Sequence, residues 1–91
     1  MALLRRSVSV LHDALAAAEN VSPGTLVETG VAAYLAAAAA RAAALSVAAR
    51  VSSLRDLEEG DRYRQECAAL LREANETAEA VERAVRSRAQ V

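Results

Sequence analysis

The stretch VAAYLAAAAARAAALSVAAR at residues 31–50 decides how this chain folds. Twelve of its 20 residues are alanine, the residue that favours helix most because it has no side-chain freedom to lose. No proline or glycine interrupts it. A helix of this kind has little bulk on any side, so neighbouring backbones can approach it closely. It reads as a central helix with others packed around it. Arg41 lies inside the stretch. Its aliphatic stem can carry the guanidinium outward to water, or the charge can pair with a carboxylate across an interface.

Working back from this stretch, the central helix starts near Thr25. Thr25-Leu26-Val27-Glu28 has the form of a capping box. Ser22, with Pro23 at the first helical position, is the rival start. Asn20-Val21-Ser22-Pro23-Gly24 is a run of turn residues. It separates the central helix from a first helix over residues 2–18. There Leu4, Val8, Leu11 and Leu15 recur at spacings of 4, 3 and 4, which makes one apolar stripe.

Working forward, the central helix is expected to run to residue 57, and Glu58-Glu59-Gly60-Asp61 marks its end. Gly60 suits a C-terminal cap and Asp61 the next N-cap; a helix continuing through Gly60 is the other reading. A third helix is expected over residues 62–88. Cys67, Leu71, Ala74, Ala78, Val81 and Val85 form its heptad stripe. Glu82 and Arg86 are spaced for an i,i+4 ion pair. The fold expected is all-α: three antiparallel helices around a long alanine-rich centre, completed as a bundle by oligomerisation. Leu4, Val8, Leu11, Leu15, Tyr34, Cys67, Leu71, Val81 and Val85 are the packing and association residues.

Composition supplies the reason for association. The chain has 91 residues and is 54% hydrophobic, but 24 of those residues are alanine. A buried methylene contributes roughly 0.8 kcal/mol, and alanine has little to bury. One cysteine allows no internal disulfide, so self-association into a dimer or larger oligomer is the expected remedy. Cys67 is expected as a small buried hydrophobe.

The net charge is −1, with 11 Arg against 12 acids. There is no basic field for nucleic acid. A membrane span over residues 31–49 would carry Arg41 near its centre, at a cost of about 2.5–3.5 kcal/mol. His12 and Asp13 interrupt the apolar N-terminus too early for an export signal. A cytoplasmic protein is expected.

Chemistry is thin. The single histidine, His12, and the single cysteine, Cys67, have no paired ligands at zinc spacing. No metal site is expected, and His12 reads as a surface residue. Gly24, Gly30 and Gly60 are isolated, so no phosphate loop is formed. Ser22, Pro23 and Gly24, ahead of a helix N-terminus, are the candidate ligand-binding residues, because free amides and the helix dipole point there. A plain turn is the alternative.

The order of these features resembles one known family. Asp13-Ala14-Leu15-Ala16 precedes Ser22-Pro23-Gly24. Ala33-Tyr34-Leu35-Ala36-Ala37-Ala38 follows, then Ala44-Leu45-Ser46-Val47, then Asn75-Glu76-Thr77-Ala78-Glu79-Ala80-Val81. The sequence is similar to the cyclodeaminase/cyclohydrolase family, which includes the folate-handling domain of formiminotransferase-cyclodeaminase. The resemblance implies an all-helical dimer acting on one-carbon derivatives of tetrahydrofolate, with the Pro-Gly turn at the ligand.

Departures are specific. The family's Pro-Gly-Gly-Gly-Ser turn reads Pro23-Gly24-Thr25-Leu26 here, and its acidic run keeps only Glu76. The family domain is also about twice as long. The resemblance therefore implies a truncated, non-catalytic relative that forms a helical dimer or higher oligomer, with no cofactor. Two other readings stand beside it. One is a folate enzyme with a reduced site at Ser22, Pro23 and Gly24 that takes a tetrahydrofolate derivative. The other is a structural or adaptor protein whose stripes dock a partner helix.

Overall fold

The computed structural model describes residues 1–89. Helix α1 spans Ala2–Asn20, a single 3-10 turn spans Pro23–Thr25, helix α2 spans Leu26–Val51 and helix α3 spans Leu57–Ala89. The described residues contain no strand. Each helix packs against the other two, in a rod of 51 × 17 × 15 Å. Side-chain contacts give the directions. Arg5 pairs with Glu66, His12 with Glu73, and Arg88 reaches Ala18, so α1 and α3 run parallel. Tyr34 meets Glu82 and Arg41 meets Asn75, so α2 runs antiparallel to α3. The expected all-α, three-helix arrangement is the observed fold.

The α1 stripe faces inward. Leu4, Val8, Leu11, Ala14 and Ala18 are buried against Ala33, Ala36, Ala40 and Ala43 of α2 and Cys67, Ala74 and Val81 of α3. Leu15, Leu71 and Val85 pack at its margin. Over residues 33–43 α2 supplies only small residues to the core, which admit the bulk of α1 and α3; its own large buried side chains, Leu26 and Val51, are at its two ends. Ser7 and Thr77 are the buried polar side chains. Each donates its hydroxyl one turn back, to the Leu3 carbonyl at 2.9 Å and the Glu73 carbonyl at 2.7 Å, so neither is left unsatisfied. At one end Arg88 donates to the Ala18 carbonyl at 2.9 Å, covering an orphan acceptor in the last turn of α1.

The boundaries around α2 differ from the sequence expectation. Thr25 makes no capping hydrogen bond to a backbone amide. Its hydroxyl instead donates to the Ser22 carbonyl at 3.0 Å, so the Ser22-Pro23 start is the one used, as a 3-10 turn leading into α2. At the other end α2 stops at Val51, six residues before residue 57. Ser52 and Ser53 fold their hydroxyls back to the Ala49 and Arg50 carbonyls at 2.7 and 2.8 Å, and Ser53 N–H and Leu54 N–H close i→i−3 bonds. Such side-chain bonds compete with helix continuation.

The next helix is capped by Asp56, whose Oδ1 accepts from the Glu58 and Glu59 amides at 3.0 and 3.2 Å. Neither Gly60 nor Asp61 is therefore a cap. Gly60 lies inside α3 and is buried, with a Cβ there falling 3.5 Å from Val51 Cγ1. That is ordinary contact distance, and the backbone is helical. Gly60→Ala is expected to stabilise the protein by about 0.5–1 kcal/mol, since it removes the conformational cost of a mid-helix glycine. Thermal unfolding checks it; at a left-handed cap the same change would destabilise.

Candidate functional site

The residues singled out for ligand binding are at the surface. Ser22, Pro23 and Gly24 are all exposed, and a Cβ on Gly24 would meet nothing within 4 Å. None of the three lines the grooves of about 560, 450 and 270 Å³ on this molecule. The turn therefore forms a bend over open solvent rather than the wall of a cleft. His12 is exposed and bonds Glu73 Oε1 at 2.8 Å, tying α1 to α3. Cys67 is buried and free. Among the described residues no three His, Cys, Asp or Glu side chains converge on one point.

The apolar stripes of α1 and α3 are used up inside the fold, so they are not free to dock a partner. The longest run of exposed apolar side chains is on α2; Leu3 and Val10 of α1, and Leu54, Leu57 and Tyr63 around the start of α3, are exposed as well. Val27, Val31, Leu35 and Leu45 are exposed by 66, 50, 67 and 75%. Ala38, Ala42 and Ala49 are exposed between and beyond them. Read along the helix, positions 27, 31, 35, 38, 42, 45 and 49 recur every three or four residues, which places them on one face. It is the face opposite Ala33, Ala36, Ala40 and Ala43 in the core. Over residues 31–45 the usual distribution is inverted, with alanine inward and the larger aliphatics outward.

Contiguous exposed apolar faces are a feature of interaction surfaces, which makes this face the candidate site. The signal was present in the spacing. It is missed when bulky residues are assumed to point toward the core, because the alanines of α2 mask which side that is. By length and composition Pro23–Val51 is also apolar enough to cross a membrane, with 33% of its most apolar 18-residue window buried.

Two grooves flank the C-terminal half of this face. One, about 560 Å³, lies between α1 and α2 and is lined by Leu3, Ser46, Val47 and Arg50 among others. The second, about 450 Å³, lies between α2 and α3 over Arg41, Leu45, Cys67 and Leu71.

Tyr34 departs from the packing role expected for it. It is 53% exposed, at the edge of α2, and its hydroxyl donates to Glu82 of α3. A phenol seeks such a polar partner, and position 34 is at the margin of α2 rather than its buried side. This bond holds the Tyr34 pKa above its ordinary value of 10.0. The hydrogen bond to Glu82 is the largest cause, followed by lost hydration and the Glu82 charge, with Arg86 opposing. The fold thus favours the neutral phenol. Its contribution is present below the unfolded pKa and lost as pH rises through the higher folded one. In a Tyr63→Phe background, Glu82→Gln is expected to lower the midpoint of phenolate absorbance.

No family model, curated protein or solved structure matches this chain.

Proposed function

We propose that this protein is a small helical module that works by self-association, with the outer face of α2 as the contact. The single observation that carries the proposal is the unbroken exposed apolar face of Val27, Val31, Leu35, Ala38, Ala42, Leu45 and Ala49. Covering it removes apolar area from water, at roughly 25 cal/mol per Å². Its alanines let a second helix approach closely, which strengthens dispersion contacts. The core beneath is mostly alanine, so the folded chain gains from any partner that binds it.

The resemblance to the cyclodeaminase/cyclohydrolase family is compatible with this reading in its non-catalytic, self-associating form. The exposed turn at Ser22, Pro23 and Gly24 supports assembly rather than folate chemistry as the function. Helix α2 carries one acid and two arginines, Glu28, Arg41 and Arg50, too few cations for attachment to an anionic membrane, which favours a cytoplasmic oligomer. Sedimentation velocity at micromolar concentration tests the proposal. An oligomer is expected; a folded monomer throughout that range would remove it.

A further inference from the structure

The α2 face carries information about how its partner lies. Helix α2 has three charged side chains, Glu28, Arg41 and Arg50. Among the described residues none of them is in an ion pair. Arg41 makes only a long hydrogen bond to Asn75 Oδ1 at 3.4 Å. By contrast, α3 pairs Arg64 with Asp61 and Arg86 with Glu82. Glu28 and Arg50 lie on one margin of the apolar face at the helical period of 3.6 residues, and Tyr34 and Arg41 lie on the other. The first margin borders α1, since Arg50 shares a groove with Leu3. The second borders α3, since Tyr34 and Arg41 share one with Asn75 and Glu82.

From this placement we infer that a second copy of the chain packs its α2 antiparallel on the first, about a two-fold axis close to Ala38 and Ala39. This rests on the self-association proposed above. Ala39 is equidistant in sequence from Glu28 and Arg50. Antiparallel pairing brings like margins together, so Glu28 meets the partner's Arg50 at both ends. On the other margin Arg41 meets the partner's Tyr34, beside the carboxylate of the partner's Glu82. The guanidinium there gains a ring face and a nearby acid. Shape agrees. Leu35 lies over the partner's Ala42, Leu45 over the partner's Val31, and alanine meets alanine at the axis.

A parallel pair would instead set Leu35 on Leu35 and Leu45 on Leu45. Glu28 would then lie level with Glu28 and Arg50 with Arg50, at opposite ends of the contact. The antiparallel face is complementary to itself, which is what a closed two-fold interface requires. An unrelated partner would have no need of that symmetry. A lipid surface would not read it, and the face lacks the cluster of cations that anionic lipid attracts.

Disulfide trapping tests this in a Cys67→Ala background. Ala38→Cys is expected to cross-link chains readily on mild oxidation. Ala49→Cys alone is expected not to, because its counterpart lies at the far end of the interface. Efficient cross-linking of Ala49→Cys with itself would overturn the antiparallel register while leaving self-association intact. Absence of any oligomer by sedimentation would instead remove the underlying proposal, as would a chain that associates only with phosphatidylcholine–phosphatidylglycerol vesicles.

Charge exchange gives an independent reading. Glu28→Arg and Arg50→Glu are each expected to weaken dimerisation about tenfold at low salt, and the double variant to recover most of it. Failure of the double variant to recover while Ala38→Cys still cross-links would overturn the Glu28–Arg50 contact.

Discussion

Leu35→Glu is expected to leave the fold intact and abolish association at micromolar concentration. Leu35 is 67% exposed on α2, so within one chain the carboxylate stays in water and costs little. Glutamate is also a good helix former. In a dimer the same side chain would be sealed at the centre of the interface with no cation opposite it. An unpaired buried charge costs several kcal/mol, and central interface positions are where truncations cost most. A loss of about 100-fold in affinity, roughly 3 kcal/mol, is the expected size. Circular dichroism should report native helicity, and sedimentation should report a monomer. Ser9→Glu, on the exposed polar side of α1, is the matched control and should change neither.

Leu11→Ala is expected to do the reverse and damage the fold itself. Leu11 is fully buried among the α2 and α3 residues of the core. Its removal leaves a void that neighbouring alanines cannot fill by turning a side chain. Buried Leu→Ala changes cost about 2–5 kcal/mol, against a typical total of about 5–15 kcal/mol. With only Leu4, Leu11, Leu26 and Val81 among the described residues as large side chains fully shielded from water, the core has few others to compensate. A fall in Tm of more than about 10 °C at fixed protein concentration is expected. Leu35→Ala should scarcely move the Tm of the isolated chain, since no core contact is lost. The contrast between two leucines on adjacent helices separates the residues that make the fold from those that make the contact.

Much of the fold was legible because α1 and α3 are strongly patterned. Leu4, Val8 and Leu11, like Cys67, Ala74 and Val81, recur at helical spacing and are buried as that spacing requires. The ends of α2 were harder. Thr25 and Glu28 fit a capping box in sequence, yet Pro23 had already set the turn one step earlier. Ser52 and Ser53 ended the helix through bonds to their own backbone, and Asp56 captured the amides that start α3. Gly60 was misread because a glycine among polar residues serves equally as a cap or as room for a neighbouring helix. The Asp56 cap, which starts α3 at Leu57, decides which.

The candidate surface was the least legible part. Alanine is neutral about which way it faces, so the orientation of α2 is set by the stripes of its two neighbours. Once those bury Ala33, Ala36, Ala40 and Ala43, Val31, Leu35 and Leu45 are left outside. The Ser22-Pro23-Gly24 turn drew attention as a ligand site because residue types at a helix start suggest one. Exposure is a property of the packed molecule and was not written in those three residues.

The claim that α2 buries its outer face against a second copy is tested most directly by thiol accessibility. Ala42→Cys in a Cys67→Ala background, kept reduced, places one thiol in the middle of the face; Ala16→Cys places one on the exposed surface of α1. The labelling rate at position 42 is expected to fall steeply as protein concentration rises through the dimerisation range, while the rate at position 16 stays constant. Equal, concentration-independent labelling at both positions would contradict the account.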